Sequence, residues 1–209
     1  MTFQGWPAEA FEWFDGLAAD NTKQWFHAHR STYDEAVRGP MQDLVDDLED
    51  EFGPATLSRP NRDTRFSRDK APYKLEIYAR TRRPDGAGCY VQLGAESLFA
   101  GGGLYEPDRD RLARVRAAVA DDRTRPELEA VVQALGEGGV ELMTDGALKT
   151  APRGFPVDHP RIDLLRLRHL AGGVRFPPRA WMGTPAARDR VAAVWRSFGP
   201  LLGWLARVP

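Results

Sequence analysis

The sequence predicts an α+β fold: an antiparallel sheet built on a three-stranded meander (about residues 73–104), packed by N-terminal and C-terminal helices. Three observations predict it. Apolar residues recur at helical spacing from Phe11 to Leu48 and again from Leu112 onward. Between these blocks, from Tyr73, the period changes to two. Gly-Pro, Pro-Asp-Gly and Gly-Gly punctuation falls where one pattern gives way to the next.

Taken in order, Pro7 to Ala19 reads as a helix with Phe11, Phe14 and Leu17 along one face. Asn21 or Thr22 caps a second helix carrying Trp25, Phe26, His29, Tyr33 and Val37. Gly39-Pro40 should break that helix, and Pro40 should open a third with Met41, Leu44, Val45 and Leu48 inward. Its acids (Asp43, Asp46, Asp47, Glu49, Asp50, Glu51) make a solvated face. From Tyr73, residues Leu75, Ile77 and Ala79 alternate with Lys74, Glu76, Tyr78 and Arg80, a half-buried strand. Pro84-Asp85-Gly86 turns the chain, Cys89 to Ala95 alternates again, and Leu98 to Ala100 makes a third strand. Three glycines, Gly101 to Gly103, make poor strand, because backbone entropy is lost with no side chain to pack; they permit positive φ or a close approach by something else.

Asp108 caps a helix with Leu112, Val115 and Val119, and Pro126 opens another with Leu128, Val131, Val132 and Leu135. Val140–Met143 and Ala147–Lys149 are short extended candidates, and Pro152–Pro156 is irregular. Asp158-His159-Pro160 opens a helix to about Leu170, which Gly172-Gly173 stops before a short strand, Val174–Phe176. The last helix runs from about Pro185 and breaks at Gly199-Pro200.

The whole chain supports a single domain over residues 1–209. With 29 basic and 30 acidic residues the net charge is −1, which argues against a general nucleic-acid or membrane-surface binder. Cys89 is the only cysteine, so an internal disulfide and a cysteine-based zinc site are excluded. No stretch approaches the ~20 apolar residues of a membrane span, and the N-terminus lacks the pattern of a signal peptide. The expectation is a cytoplasmic protein.

One stretch departs from this ordinary background. Asn61–Lys74 holds five cations (Arg62, Arg65, Arg68, Lys70, Lys74) and two acids (Asp63, Asp69), net +3 in a chain of net −1. Phe66 and Tyr73 are its aromatic anchors. A carboxylate between guanidinium groups, as in Arg62-Asp63-x-Arg65, pairs with one arginine and leaves the other to grip an external anion through its planar fork. Lys70 adds a point charge and Tyr73 a hydroxyl. Gly102 and Gly103 offer backbone N–H groups to an anion; the alternative is a tight corner. Lys149 and Arg153 add positive charge, and His159, beside Asp158, is the best-placed general base of the four histidines; the alternative makes it a helix cap. No P-loop, dinucleotide fingerprint, nucleophile elbow or paired-histidine metal motif occurs, so neither metal nor cofactor is expected.

Arg59-Pro60-Asn61-Arg62-Asp63-Thr64-Arg65-Phe66 with Lys70-Ala71-Pro72-Tyr73 fits the pattern RxxRDxRFxxxKxPY at every defined position. The chain thereby resembles domain-of-unknown-function family 2461, a bacterial family. Asn21–Phe26 resembles the family's N-N-x-x-W-F segment, with Thr22 for the second Asn. Gly101–Pro107 resembles its glycine-rich segment, and Leu148–Pro160 its L-K-x-x-P-x-G-[YF]-x-x-x-H-P segment. The resemblance implies one undivided domain and carries no particular chemistry.

The leading expectation is an Arg/Lys-lined cleft binding an anionic small molecule, walled by Arg62, Arg65, Lys70 and Tyr73 with Gly102, Gly103, Lys149 and Arg153. Turnover would make Asp63 or His159 the base. The alternative is a non-enzymatic interaction module whose charged motif is an internal salt-bridge network. A third reading is nucleic-acid binding through the basic stretch with Tyr78 and Tyr90.

Overall fold

The computed structural model describes residues 2–65 and 67–208. Helices and a six-stranded antiparallel sheet make an α+β fold. The strands are β1 (Ala55–Leu57), β2 (Glu76–Thr81), β3 (Gly88–Gly94), β4 (Leu98–Leu104), β5 (Glu141–Leu142) and β6 (Leu170–Phe176). Their order across the sheet is β1-β2-β3-β4-β6-β5, so the meander β2-β3-β4 is extended at both edges. The chain divides into two compact units. The first holds Met1–Thr81, Tyr90–Ala100 and Arg175–Ala193; the second holds Arg82–Cys89, Gly101–Val174 and Val194–Pro209.

The first unit begins with α1 (Ala8–Ala19), which buries Ala10, Trp13, Phe14 and Leu17. Thr22 caps α2 (Lys23–Ala28) by accepting from the Trp25 N–H at 3.2 Å. Trp13 lies within 4.9–5.7 Å, centroid to centroid, of Phe14, Trp25, Phe26 and Tyr33, an aromatic cluster that welds α1 to α2. The helix expected to continue through Val37 is interrupted at His29 (φ −111°, ψ 21°). Its carbonyl accepts from the Trp13 indole N–H at 3.0 Å, and its ring stacks on Trp25 at 4.0 Å. After α3 (Arg30–Thr32) the chain enters a π-helical segment, Tyr33–Arg38, and passes directly into α4 (Gly39–Phe52).

Gly39-Pro40 therefore does not break the chain as expected. Gly39 is helical (φ −55°, ψ −57°) and donates to Asp34 O, a bond five residues back. The widened turn relieves the clash that a proline ring otherwise makes with the carbonyl four residues earlier. It also keeps Tyr33, Val37, Met41, Leu44 and Leu48 on one buried side. On α4 the acids Asp46, Glu49, Asp50 and Glu51 face solvent as expected. Asp47 instead accepts from the Phe3 N–H (3.0 Å) and pairs with Arg188 at 3.6 Å.

β2 begins three residues later than the alternation suggests. Tyr73 belongs to an isolated antiparallel bridge with Asn61, and Lys74 N donates to Pro60 O, so the chain here pairs with the charged loop. Leu75 is consequently 44 % exposed, a correction to its inward placement. Ile77 and Ala79, with Val91, Leu93, Leu98 and Ala100, make the sheet's buried face. β1 has no periodic signal of its own; its register on β2 runs Ala55↔Thr81 to Leu57↔Ala79.

In the second unit Gly101–Gly103, expected to make poor strand, belong to β4, and the close approach that glycine permits is why. A Cβ on Gly101 would lie 2.1 Å from Gly172 O, and one on Gly103 2.3 Å from Leu170 O. Neighbouring backbone sits where side chains would be, so glycine is what lets the strand continue. Gly172 is crowded likewise, 2.4 Å from Glu141 O, which is why Gly172-Gly173 lies inside β6 instead of ending a helix. The helix expected from Asp158 to Leu170 shrinks to α7 (Ile162–Arg166), and Ala147–Lys149, expected to be extended, is irregular, with Leu148 N donating to Arg166 O.

Asp108 caps α5 (Arg109–Ala120) through the Arg111 N–H at 2.7 Å, and Pro126 sits in the first turn of α6 (Arg125–Glu137), both as expected. A short 3-10 turn (Ala180–Gly183) precedes α8 (Ala186–Ser197); α9 (Gly199–Ala206) follows after Phe198, at the Gly199-Pro200 break. The Arg111 guanidinium is buried and donates to Leu205 O and Val208 O at the end of α9, satisfying orphan helix carbonyls. No helix among the described residues is long and apolar enough to cross a membrane.

Just past α5, Asp121 accepts from both the guanidinium and the backbone N–H of Arg123. The Arg123 side-chain bond, chiefly, lowers the Asp121 carboxyl from 3.8 to about 2. A group depressed in the folded state contributes stability above its unfolded pKa and loses it as pH falls through the folded value. The unfolding midpoint should therefore drop between about pH 4 and pH 2, and Asp121→Asn should flatten that stretch of an acid titration followed by circular dichroism.

Candidate functional site

The charged stretch is a surface loop of the first unit, closed at its base. Arg62 N donates to Pro72 O at 2.8 Å and Lys74 N to Pro60 O at 2.9 Å, flanking the Asn61↔Tyr73 bridge. Asn21 clamps that base: its Nδ2 donates to Tyr73 O (3.0 Å) and its Oδ1 accepts from Tyr73 N (3.1 Å). Tyr73 is 4 % exposed and stacks on Phe26 at 4.0 Å with 11° between the rings. Two segments distant in sequence, Asn21–Phe26 and Pro72-Tyr73, thus form one structural joint. Tyr73 fills the core with its ring; its expected role was to offer a hydroxyl to a ligand.

Inside the loop the charges are matched at the surface. Arg65 holds Asp63 through Nε (3.0 Å) and Nη2 (2.7 Å), with side chains 78 % and 58 % exposed. Arg62 bonds Asp69, and Lys70 Nζ donates to Thr64 O at 2.9 Å. The salt bridges expected to be internal under the alternative reading are open to solvent, where such pairs contribute little. Pairing with Arg65 holds the Asp63 carboxyl below its ordinary value, which weakens it as a base. Phe66, read as an anchor, lies outside the described residues.

The remaining sequence candidates belong to the second unit. Gly102 and Gly103 are buried in β4, where a Cβ on Gly102 would lie 2.9 Å from the Phe198 ring; their missing side chains make room for the protein's own packing. Lys149, at a bend, and Arg153, in a turn, are exposed. His159 Nδ1 accepts from the Arg161 N–H at 3.0 Å, so the ring proton sits on Nε2 and neither nitrogen of neutral His159 is a vacant acceptor. It shapes the turn before α7 but is not the N-cap, which is Arg161.

The alternation that buries Ile77 and Ala79 leaves Tyr78 and Arg80 on the outward face of the sheet in the first unit. That face carries a row of rings. Tyr78 on β2 stacks on Tyr90 of β3 (5.4 Å, 30°), and Tyr90 meets Phe99 of β4 edge-on at 6.1 Å. Cations stand at both ends: Lys74 Nζ is 5.0 Å from the Tyr78 centroid and the Arg175 guanidinium 5.3 Å from that of Phe99. Arg80 is exposed and sits opposite Tyr90 in the ladder. Lys74 donates to Arg59 O and Arg175 to Ser97 Oγ, but among the described residues none of Lys74, Arg80 and Arg175 is ion-paired. Gln92 accepts from the Tyr90 hydroxyl at 2.7 Å and fixes that ring's tip.

Phe99 and Arg175 escaped the sequence reading. Phe99 was legible as the outward residue between inward Leu98 and Ala100. Arg175 was not, because its place beside Phe99 follows from the pairing of β6 with β4. No group of three or more metal-ligating side chains occurs among the described residues.

No curated protein matches the chain. The sequence profile of the family described as "Conserved hypothetical protein (DUF2461)" matches residues 9–204, and the chain belongs to that family.

Proposed function

We propose that the outward sheet face of the first unit binds an anionic small molecule. The observation that carries this reading is the set of three cations, Lys74, Arg80 and Arg175, gathered on one aromatic floor with no protein carboxylate paired to any of them among the described residues. An external phosphate or carboxylate supplies the missing negative charge. Arg80 grips it with a planar fork, while Tyr78 and Tyr90 cover the apolar part of the ligand. The reading is one of binding: Asp63 is made a weaker base by Arg65, and His159 Nδ1 is occupied by the Arg161 N–H. It includes a bacterial, cytoplasmic setting, in keeping with a chain whose one cysteine is Cys89.

The test is a thermal-shift panel of sugar phosphates, nucleotides and dicarboxylates. At least one anion should raise the melting temperature of the wild type by several degrees. Arg80→Ala, which alters an exposed side chain, should melt where the wild type does without ligand and lose that response. A panel in which wild type and Arg80→Ala respond alike removes the reading.

A second reading rests on the length of the ring row, which spans three strands and exceeds what one small anion covers. Single-stranded nucleic acid stacks bases on such rows and gives its phosphates to flanking cations. Its affinity would fall steeply with added salt. A salt-independent interaction, or none at low salt, rules it out.

A further inference from the structure

The second unit contains a cleft of about 550 Å³ lined by Arg82, Arg83, Leu104, Tyr105, Glu106 and Arg114, among others. Its floor is built by the turn between β2 and β3. There Arg83 N donates to Ala87 O (2.9 Å), Asp85 Oδ1 accepts from Ala87 N (3.0 Å), and Asp85 Oδ2 stands 3.7 Å from Arg83 Nε. The turn thus aims Arg83 through its own carboxylate. Among the described residues Arg82 and Arg114 have no such carboxylate, so two uncompensated guanidinium groups line the cleft.

The opposite rim departs from ordinary loop geometry. Tyr105 is 50 % exposed and stacks one face on His169, with centroids 4.6 Å apart and 21° between the rings. Glu106 is the one non-glycine residue with positive φ (48°) among the described residues. It is held there because its N–H donates to His169 Nδ1 at 3.0 Å. Side-chain-bearing residues held in that region tend to occur where a site needs them. The contacts to His169 set an aromatic ring and a carboxylate side by side at the edge of an arginine-lined cavity.

We propose that this cleft is a binding site for a free nucleoside monophosphate, separate from the sheet face of the first unit. Arg82 and Arg114 take the phosphate, the base lies on Tyr105, and the Glu106 carboxylate accepts from the ribose hydroxyls. Each part of the ligand answers one feature of the cleft. Phosphate needs guanidinium forks, a base needs an exposed ring backed by a second ring, and a sugar diol needs a charged acceptor.

The experiment is calorimetric titration of the full chain with AMP, UMP, ribose 5-phosphate, adenosine and inorganic phosphate. AMP should bind about tenfold or more tightly than ribose 5-phosphate, the increment expected for one stacked base. Tyr105→Ala should bring AMP down to the level of ribose 5-phosphate and leave ribose 5-phosphate unchanged. The double variant Arg82→Ala/Arg114→Ala should weaken AMP most, and Arg80→Ala should leave the preference for AMP over ribose 5-phosphate in place. All these side chains are exposed, and an unchanged melting temperature in each variant confirms folding. Equal affinity for AMP and ribose 5-phosphate, AMP binding indifferent to Tyr105→Ala, or no nucleotide binding at all overturns the proposal. So does AMP binding abolished by Arg80→Ala alone, which would put the nucleotide on the sheet face.

Discussion

Gly103→Ala is expected to lower stability by on the order of 4 kcal/mol or more, enough to leave the chain largely unfolded near body temperature. Two effects combine. Gly103 holds φ at +115°, a conformation that L side chains resist. An added methyl group would also lie 2.3 Å from Leu170 O and 2.6 Å from Ala171 Cα, backbone atoms of β6 that can retreat only by unzipping the strand pair. Urea unfolding followed by circular dichroism measures the sum. Gly53→Ala is the comparison, since Gly53 has φ +81° but nothing within 4 Å of the added carbon. It should cost only about 1–2 kcal/mol of conformational strain. Equal losses in the two variants would show that the close approach of β4 and β6 contributes nothing.

Asn21→Ala should cost about 3 kcal/mol. Asn21 gives Tyr73 both a donor and an acceptor, and Tyr73 is buried, so truncation leaves one N–H and one C=O without partners. Each such orphan costs roughly 1–3 kcal/mol. The loss should appear as a lower urea midpoint with unchanged slope, because the extent of the folded structure is the same. Asn21→Asp separates the two bonds. It keeps the acceptor for the Tyr73 N–H but faces the Tyr73 carbonyl with a second negative oxygen, so it should fare no better than alanine. A loss below about 1 kcal/mol in both variants would mean that water replaces Asn21 at the loop base.

What the chain announces locally was legible. The Thr22 and Asp108 caps, Pro126 in the first turn of α6 and the Gly199-Pro200 break all act within one helical turn of themselves. The alternation from Ile77 to Ala79 and from Cys89 to Leu93 marked the meander, because one buried face imposes period two. What escaped was decided by neighbours. β1 is three residues long, too short for a period, and exists because β2 offers it an edge. Gly101–Gly103 look like poor strand and Gly172-Gly173 like a stop, yet they are strand because adjacent backbone leaves no room for Cβ atoms. Gly39-Pro40 looks like a break, yet five-residue hydrogen bonding carries the helix through it.

The same division applies to the candidate sites. Composition drew attention to Asn61–Lys74, but a count of charges does not show which are matched. Asp63 and Asp69 neutralise Arg65 and Arg62 locally, while Lys74, from the same stretch, reaches Tyr78. Arg80 and Arg175 on the sheet and Arg82 and Arg114 at the cleft, none with an acidic partner among the described residues, come from two strands, a turn and a helix.

The division of the chain also limits what can be done to it. Each of the two units is assembled from three separate stretches, so the polypeptide changes membership five times, after Thr81, Cys89, Ala100, Val174 and Ala193. No single cut separates the two units. Neither half can be excised as a contiguous piece, and protein engineering on this scaffold must work by circular rearrangement or by point substitution within the intact polypeptide.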